Sequence, residues 1–147
     1  MENREGLLVA GPNPGLFDQL ASGPVSEMFQ LAFLPSEEDL TAFIRQHGFR
    51  FVLLDVHGAS DRAVAKLDEI RGADPLLNVL VAGPPIHPDE VLEWIRRGAA
   101  DYLETPLGNE AARLALQKAL DKRELRRETF LLERKLEKKY VFQGMVS

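Results

Sequence analysis

Phe51-Val52-Leu53-Leu54-Asp55 is a run of four apolar residues closed by one carboxylate. It does not alternate between apolar and polar, so a strand built from it must be covered on both faces. Similar short runs lie on either side. Leu7 to Ala10 closes on Gly11-Pro12-Asn13-Pro14-Gly15, and Phe29 to Leu34 stops at Pro35. Leu77 to Ala82 ends at Gly83-Pro84-Pro85, and the short Tyr102-Leu103 precedes Thr105-Pro106. Glycine and proline at these ends mark turns. Helical spacing fills the gaps between them. Leu40, Phe43 and Ile44 share a face up to Gly48, with Ser36 as N-cap. Val64, Leu67, Ile70 and Arg71 suggest a helix ending near Gly72, and Val91, Leu92 and Ile95 one ending at Gly98.

Buried strands alternating with helices predict an α/β fold with a doubly wound, five-stranded parallel sheet. Ligands and chemistry in such sheets sit at the carboxyl ends of the strands. Here those ends are Gly11-Pro12, Asp55, Gly83-Pro84 and Thr105-Pro106. An extended C-terminal helix is expected from about Asn109 to about Tyr140. Leu114, Leu116, Ala119 and Leu120 are available to pack on the sheet. Beyond them Leu125 and Leu132 stand one heptad apart and Leu136 takes the alternate seam position, with Thr129 at the other. A lone helix of this composition is marginal in water. It wants a partner, most simply its own copy in a parallel dimer, or else remains a solvated helix.

The net charge is −5. Residues 121–139 hold five acids and eight bases, which leaves −8 for the rest. An acidic globule disfavours nucleic-acid phosphates, and the basic run reads as the solvated face of a helix. With no cysteine, disulfides and thiolate metal sites are excluded. No apolar run approaches the roughly 20 residues of a membrane span, and Met1 to Gly6 lacks the apolar core of a signal peptide. The expected location is the cytoplasm. His47, His57 and His87 have no metal-site spacing, although His57 stands two residues beyond Asp55. The Gly11–Gly15 loop lacks the lysine of a P-loop. Trp94 and Phe29 read as core or interface hydrophobes.

The stretch Leu7–Leu120 resembles the receiver domain of bacterial response regulators, a flavodoxin- or CheY-like fold. Phe51 to Asp55, Ile70-Arg71 with Asp74-Pro75, the run from Ile95 to Leu103, and Thr105-Pro106 carry the resemblance. Leu136 to Phe142, with Gly144-Met145-Val146, is similar to the junction before the AAA+ ATPase of NtrC-type, sigma-54-dependent activators. The implied organisation is a receiver-like domain over 1–120 and a linker helix over 121–147, leading to an ATPase domain and a DNA-binding domain in a longer protein.

The resemblance makes Asp55 the phosphoacceptor equivalent and Tyr102 the equivalent of an aromatic switch, with a cis bond at Thr105–Pro106. It also implies a magnesium ion held by an acidic pair at the first strand end. That pair falls on Gly11 and Pro12. The phosphoryl-binding hydroxyl falls on Gly83, and the lysine that pairs with the phosphate falls on Thr105. Phosphoryl transfer depends on charge neutralisation around the moving group, and four of these positions lack the group for it. The expectation is a pseudo-receiver. It would use no cofactor and no metal, and Asp55 would cap a loop or bond backbone amides. It would be a signalling module rather than an enzyme, acting as a homodimer or on a sensor protein, without membrane or direct nucleic-acid contact. The alternative is a working phosphoacceptor with magnesium, phosphorylated at Asp55 by a histidine kinase. A small enzyme or ligand binder using the Pro84-Pro85 loop has no nucleophile–base pair to support it.

Overall fold

The strand β3 (Phe51–Asp55) is buried at every position, as an unalternating apolar run must be when layers cover both faces. The computed structural model describes residues 5–12, 14–35, 40–56 and 61–122. It divides into two units, 1–115 and 116–147, and the first carries the sheet. Around β3, in chain order, stand β1 (Glu5–Ala10), α1 (Gly15–Ala21), α2 (Val25–Met28), β2 (Phe29–Leu34), α3 (Leu40–His47), α4 (Asp61–Ala73), β4 (Asn78–Gly83), α5 (Pro88–Arg96) and β5 (Asp101–Glu104). Residues 109–122 are helical, α6.

The sheet has five strands in the order β2-β1-β3-β4-β5, and every pairing is parallel. The doubly wound parallel sheet expected from the sequence is the one observed. Successive side chains point to opposite faces of a strand. On one face Leu8, Ala10, Val52, Leu54, Val79 and Val81 form a core with Leu40 and Ile44 of α3, Leu67 and Ile70 of α4, and Trp94 of α5. On the other face Phe29 meets Phe51 edge-on, with ring centroids 5.2 Å apart. Each fully buried Leu or Phe contributes about 1.5–3 kcal/mol of transfer free energy.

Some details differ from the sequence reading. Residues 15–28, where spacing named no helix, form two short ones started at Pro14 and Pro24. Each has two turns or fewer, too short to show a period. On α5 the inward residues are Trp94, 2% exposed, and half-buried Val91, whereas Leu92 and Ile95 are 52% and 41% exposed. Leu114 is exposed too, and Ala112 and Ala115 are buried instead. Small residues gave too weak a hydropathic signal to compete with leucine. The Ser36 cap and the seam leucines Leu125, Leu132 and Leu136 lie outside the described residues.

Helix α5 starts on a cap. The His87 ring accepts from the Asp89 amide, with Pro88 in the first turn. It ends at Gly98, whose φ of +109° disfavours any side chain. The Arg71 guanidinium lies directly beneath, where a Cβ on Gly98 would come within 2.6 Å of its Nε. Arg71 in turn donates to the Leu77 carbonyl at the entry to β4. Gly98→Ala is therefore expected to cost about 1–3 kcal/mol in strain and displaced contacts. A drop in the urea midpoint at unchanged slope would register it.

Candidate functional site

Parallel register decides which strand ends meet. Ala10 pairs with Leu54, so Gly11 comes alongside Asp55. Asp55 pairs with Ala82, and Gly83 with Glu104, so Gly83 and Thr105 complete the edge. The order β2-β1-β3 reverses chain direction across the sheet at β1/β3, the position where ligands collect in such folds. Asp55 and Gly11 stand at this point.

Asp55 is 7% exposed and is the buried charged residue of the described core. Gly11 is buried against it. A Cβ on Gly11 would lie 2.9 Å from the Asp55 Cβ and 3.1 Å from the Asp55 carbonyl oxygen. Real Cβ atoms do not approach so closely, and one obstacle is backbone. The Gly11 amide is already used, donating to the Leu34 carbonyl at 3.0 Å. Pro12 is exposed.

At the other end of the edge, Gly83 is buried. A Cβ there would meet the Tyr102 hydroxyl at 2.6 Å, a Val56 methyl at 2.8 Å and the Val56 carbonyl at 3.1 Å. The Gly83 carbonyl accepts from the Thr105 amide at 2.7 Å, and the Ala82 carbonyl from the Val56 amide at 2.8 Å. Thr105 is half-buried, and its bond to Pro106 is cis, as the resemblance implies. Tyr102 turns its ring into the core and donates its hydroxyl to the Pro84 carbonyl at 2.5 Å. Burial raises its pKa above the ordinary phenol value, and the carboxylates of Glu104 and Glu90 raise it further.

The structure thus brings Gly11, Asp55, Gly83, Tyr102 and Thr105 to one edge. It shows two constraints that sequence reading missed, the fit of Gly11 on Asp55 and of Gly83 on Tyr102 and Val56. No pattern in a single sequence signals them, because they arise between strands. His57 lies outside the described residues. His47 packs at a tilt against Phe43, with centroids 4.3 Å apart, away from this edge on the last turn of α3. Sequence reading also missed Gln19, whose side-chain amide donates to the Leu107 carbonyl and to Asn109 Oδ1. That bond ties α1 to the start of α6.

The described residues do not fit a magnesium ion of the kind the resemblance implies. This hard cation takes carboxylate oxygens. Gly11 and Pro12 have none, and the space above Gly11 is filled by Asp55 itself. Among the described residues, no three His, Cys, Asp or Glu side chains cluster as a metal site, and no helix is long and apolar enough to cross a membrane.

No family model matches the chain. The transcriptional regulatory protein ZraR of Salmonella typhimurium is 32% identical over 92 residues, 63% of this chain and 21% of that protein. The chain thus spans about a fifth of the curated relatives it matches. NtrX from Brucella abortus, solved in complex with ADP, superposes with a TM-score of 0.77 at 26% identity, over 88% of this chain and 29% of NtrX. A signal receiver domain from Vibrio parahaemolyticus gives 0.75 at 20% identity, covering 86% of this chain and 97% of its own. A parallel sheet in the order β2-β1-β3-β4-β5, an aspartate buried at the end of β3 and these likenesses together give the chain the CheY-like fold of receiver domains, with a sequence similar over 92 residues to that of a response regulator.

Proposed function

We propose that this receiver belongs to a longer bacterial transcriptional regulator and works as a protein-interaction module, without phosphorylation of Asp55. One observation carries the reading. The volume beside Asp55 into which a side chain at position 11 would project is closed by the contact of Gly11 with Asp55, and exposed Pro12 next to it has no side-chain oxygen. Without a cation, negative charge would build up next to a buried carboxylate, and such stabilisation is the largest contribution in this chemistry. Asp55 keeps a structural role at the end of β3, and the domain needs no cofactor.

The assembly reading follows the same line. ZraR and NtrX are several times longer than this chain. A C-terminal linker helix over 121–147, with Leu125, Leu132 and Leu136 on its seam, would join two copies in parallel and lead to an ATPase and a DNA-binding domain. The protein would act in the cytoplasm. Its input is a partner or ligand that binds one assembly state better than the other, since only differential affinity shifts such an equilibrium.

Sedimentation equilibrium and intact mass, with and without magnesium and beryllofluoride, test this directly. The expected result is unchanged mass after incubation with a small phosphoryl donor and an unchanged monomer–dimer balance with beryllofluoride. A stable phosphoryl adduct on Asp55, or a beryllofluoride-dependent shift toward dimer, would establish the working phosphoacceptor instead.

A further inference from the structure

Gly83 and Tyr102 sit on neighbouring strands and compete for one volume. The Tyr102 hydroxyl lies 2.6 Å from where a residue-83 Cβ would be, and Val56 closes the other side at 2.8 Å. The same hydroxyl donates to the carbonyl of Pro84, the first residue of the loop between β4 and α5. That loop runs directly into the His87 cap of α5. The phenol ring belongs to the core that also contains Trp94, Val56 and the partly buried Ile86 and Val91. One side chain therefore fills the end of β4, holds the start of the loop and packs in the layer that seats α5.

We propose that Tyr102 is an internal plug. Its hydroxyl occupies the volume that any residue-83 side chain would need, and it keeps the β4–α5 loop and the first turn of α5 in one arrangement whatever happens at Asp55. This rests on the reading that the domain signals without phosphorylation, and it specifies how the site is regulated. The α5 surface, with Leu92 and Ile95 outward, is then presented continuously. Control lies in the supply of a binding partner, not in a rearrangement inside the domain. The group stays protonated in this role, because burial and the facing Glu104 and Glu90 carboxylates oppose its ionisation.

The test uses the 147-residue chain with Tyr102→Phe and Gly83→Ser. Tyr102→Phe keeps the ring and removes the hydroxyl, so it is expected to fold. Amide hydrogen exchange at Ile86, His87, Asp89 and Glu90, the residues after Pro84-Pro85 that carry an amide hydrogen, should then speed up by about five- to tenfold, the effect of one lost hydrogen bond on local opening. Exchange over residues 51–55 should stay at the wild-type rate. Gly83→Ser forces the hydroxyl aside and should produce the same pattern, together with a change in emission from Trp94, the chain's single tryptophan. A tyrosine that only adds packing would leave exchange in Tyr102→Phe at the wild-type rate, because the ring is kept. Wild-type exchange at Ile86, His87, Asp89 and Glu90 in Tyr102→Phe, or a uniform loss including 51–55, overturns the plug. Beryllofluoride binding by the wild-type chain, measured alongside, would instead overturn the phosphorylation-free reading.

Discussion

Gly11→Asp is expected to destabilise the domain by about 3–5 kcal/mol, the range for a buried charge left without compensation, and to create no magnesium site. The substitution restores a carboxylate that the resemblance places at this strand end. In this chain the residue beside it has taken the space. The new Cβ would start 2.9 Å from the Asp55 Cβ and 3.1 Å from its carbonyl oxygen. The second obstacle is backbone inside a continuous parallel ladder, so relief requires β1 and β3 to move apart. Two carboxylates would then share a buried position, and like charges at that distance disfavour joint ionisation. Gly11→Ala separates the two causes. It introduces the steric conflict alone and should cost about 1–3 kcal/mol. Urea unfolding of both variants, repeated with millimolar magnesium, decides the matter. If magnesium restores the stability of Gly11→Asp, the closed packing around Asp55 is not intrinsic and the acceptor site can be rebuilt.

A comparable loss, about 3–5 kcal/mol, is expected for Phe51→Ala. Phe51 is fully buried at the start of the central strand, paired with Leu7 on one side and Asn78 on the other. Its ring meets Phe29 edge-on, a geometry that adds about 0.5–1.5 kcal/mol beyond area burial. Removing it leaves a cavity between β1, β2 and β3 that the stiff sheet cannot collapse around. Domains of this kind are stable by about 5–15 kcal/mol, so a large part of the total is at stake. Phe33, half-buried on the edge strand β2, is the control. Its truncation should cost markedly less in the same thermal or urea unfolding experiment. Equal losses at the two positions would show that the sheet is not organised about Phe51.

Most of the fold is readable from the sequence because strand burial is written in consecutive residues. Phe51 to Asp55 and Phe29 to Leu34 are strands with the bounds their apolar runs suggest, since glycine, proline and charge punctuate them sharply. The failures are equally physical. On α5 the spacing of Val91, Leu92 and Ile95 marks the helix, yet Leu92 and Ile95 are exposed and the inward contact is made by Val91 with Trp94, which reads as a core or interface hydrophobe from the sequence. Periodicity over nine residues leaves the rotation of a helix poorly fixed. The candidate site divides in the same way. Asp55, Gly11 and Gly83 are visible as strand ends, and their chemistry can be compared with a resembled pattern. The reason glycine stands at 11 and 83 is not visible, because each is set by a residue far away in sequence, Asp55 for one and Tyr102 for the other. Arg71 beneath Gly98 is another such pair, in which both residues are visible in the sequence and their contact is not.

The border position of β2 bears on how the protein behaves in a tube. β2 forms one margin of the sheet, and Phe29-Gln30-Leu31-Ala32-Phe33-Leu34 contains neither a charge nor a proline. Natural sheets blunt their margins with such residues, and six-residue uncharged segments of this composition are templates for strand-to-strand growth. What keeps copies apart is the net charge of −5 carried elsewhere on the chain, a repulsion that reaches only about 8–10 Å at ordinary ionic strength. Acid and salt both weaken it, so concentrated stocks are expected to associate through this margin sooner at low pH or high salt than in dilute, neutral, low-salt buffer.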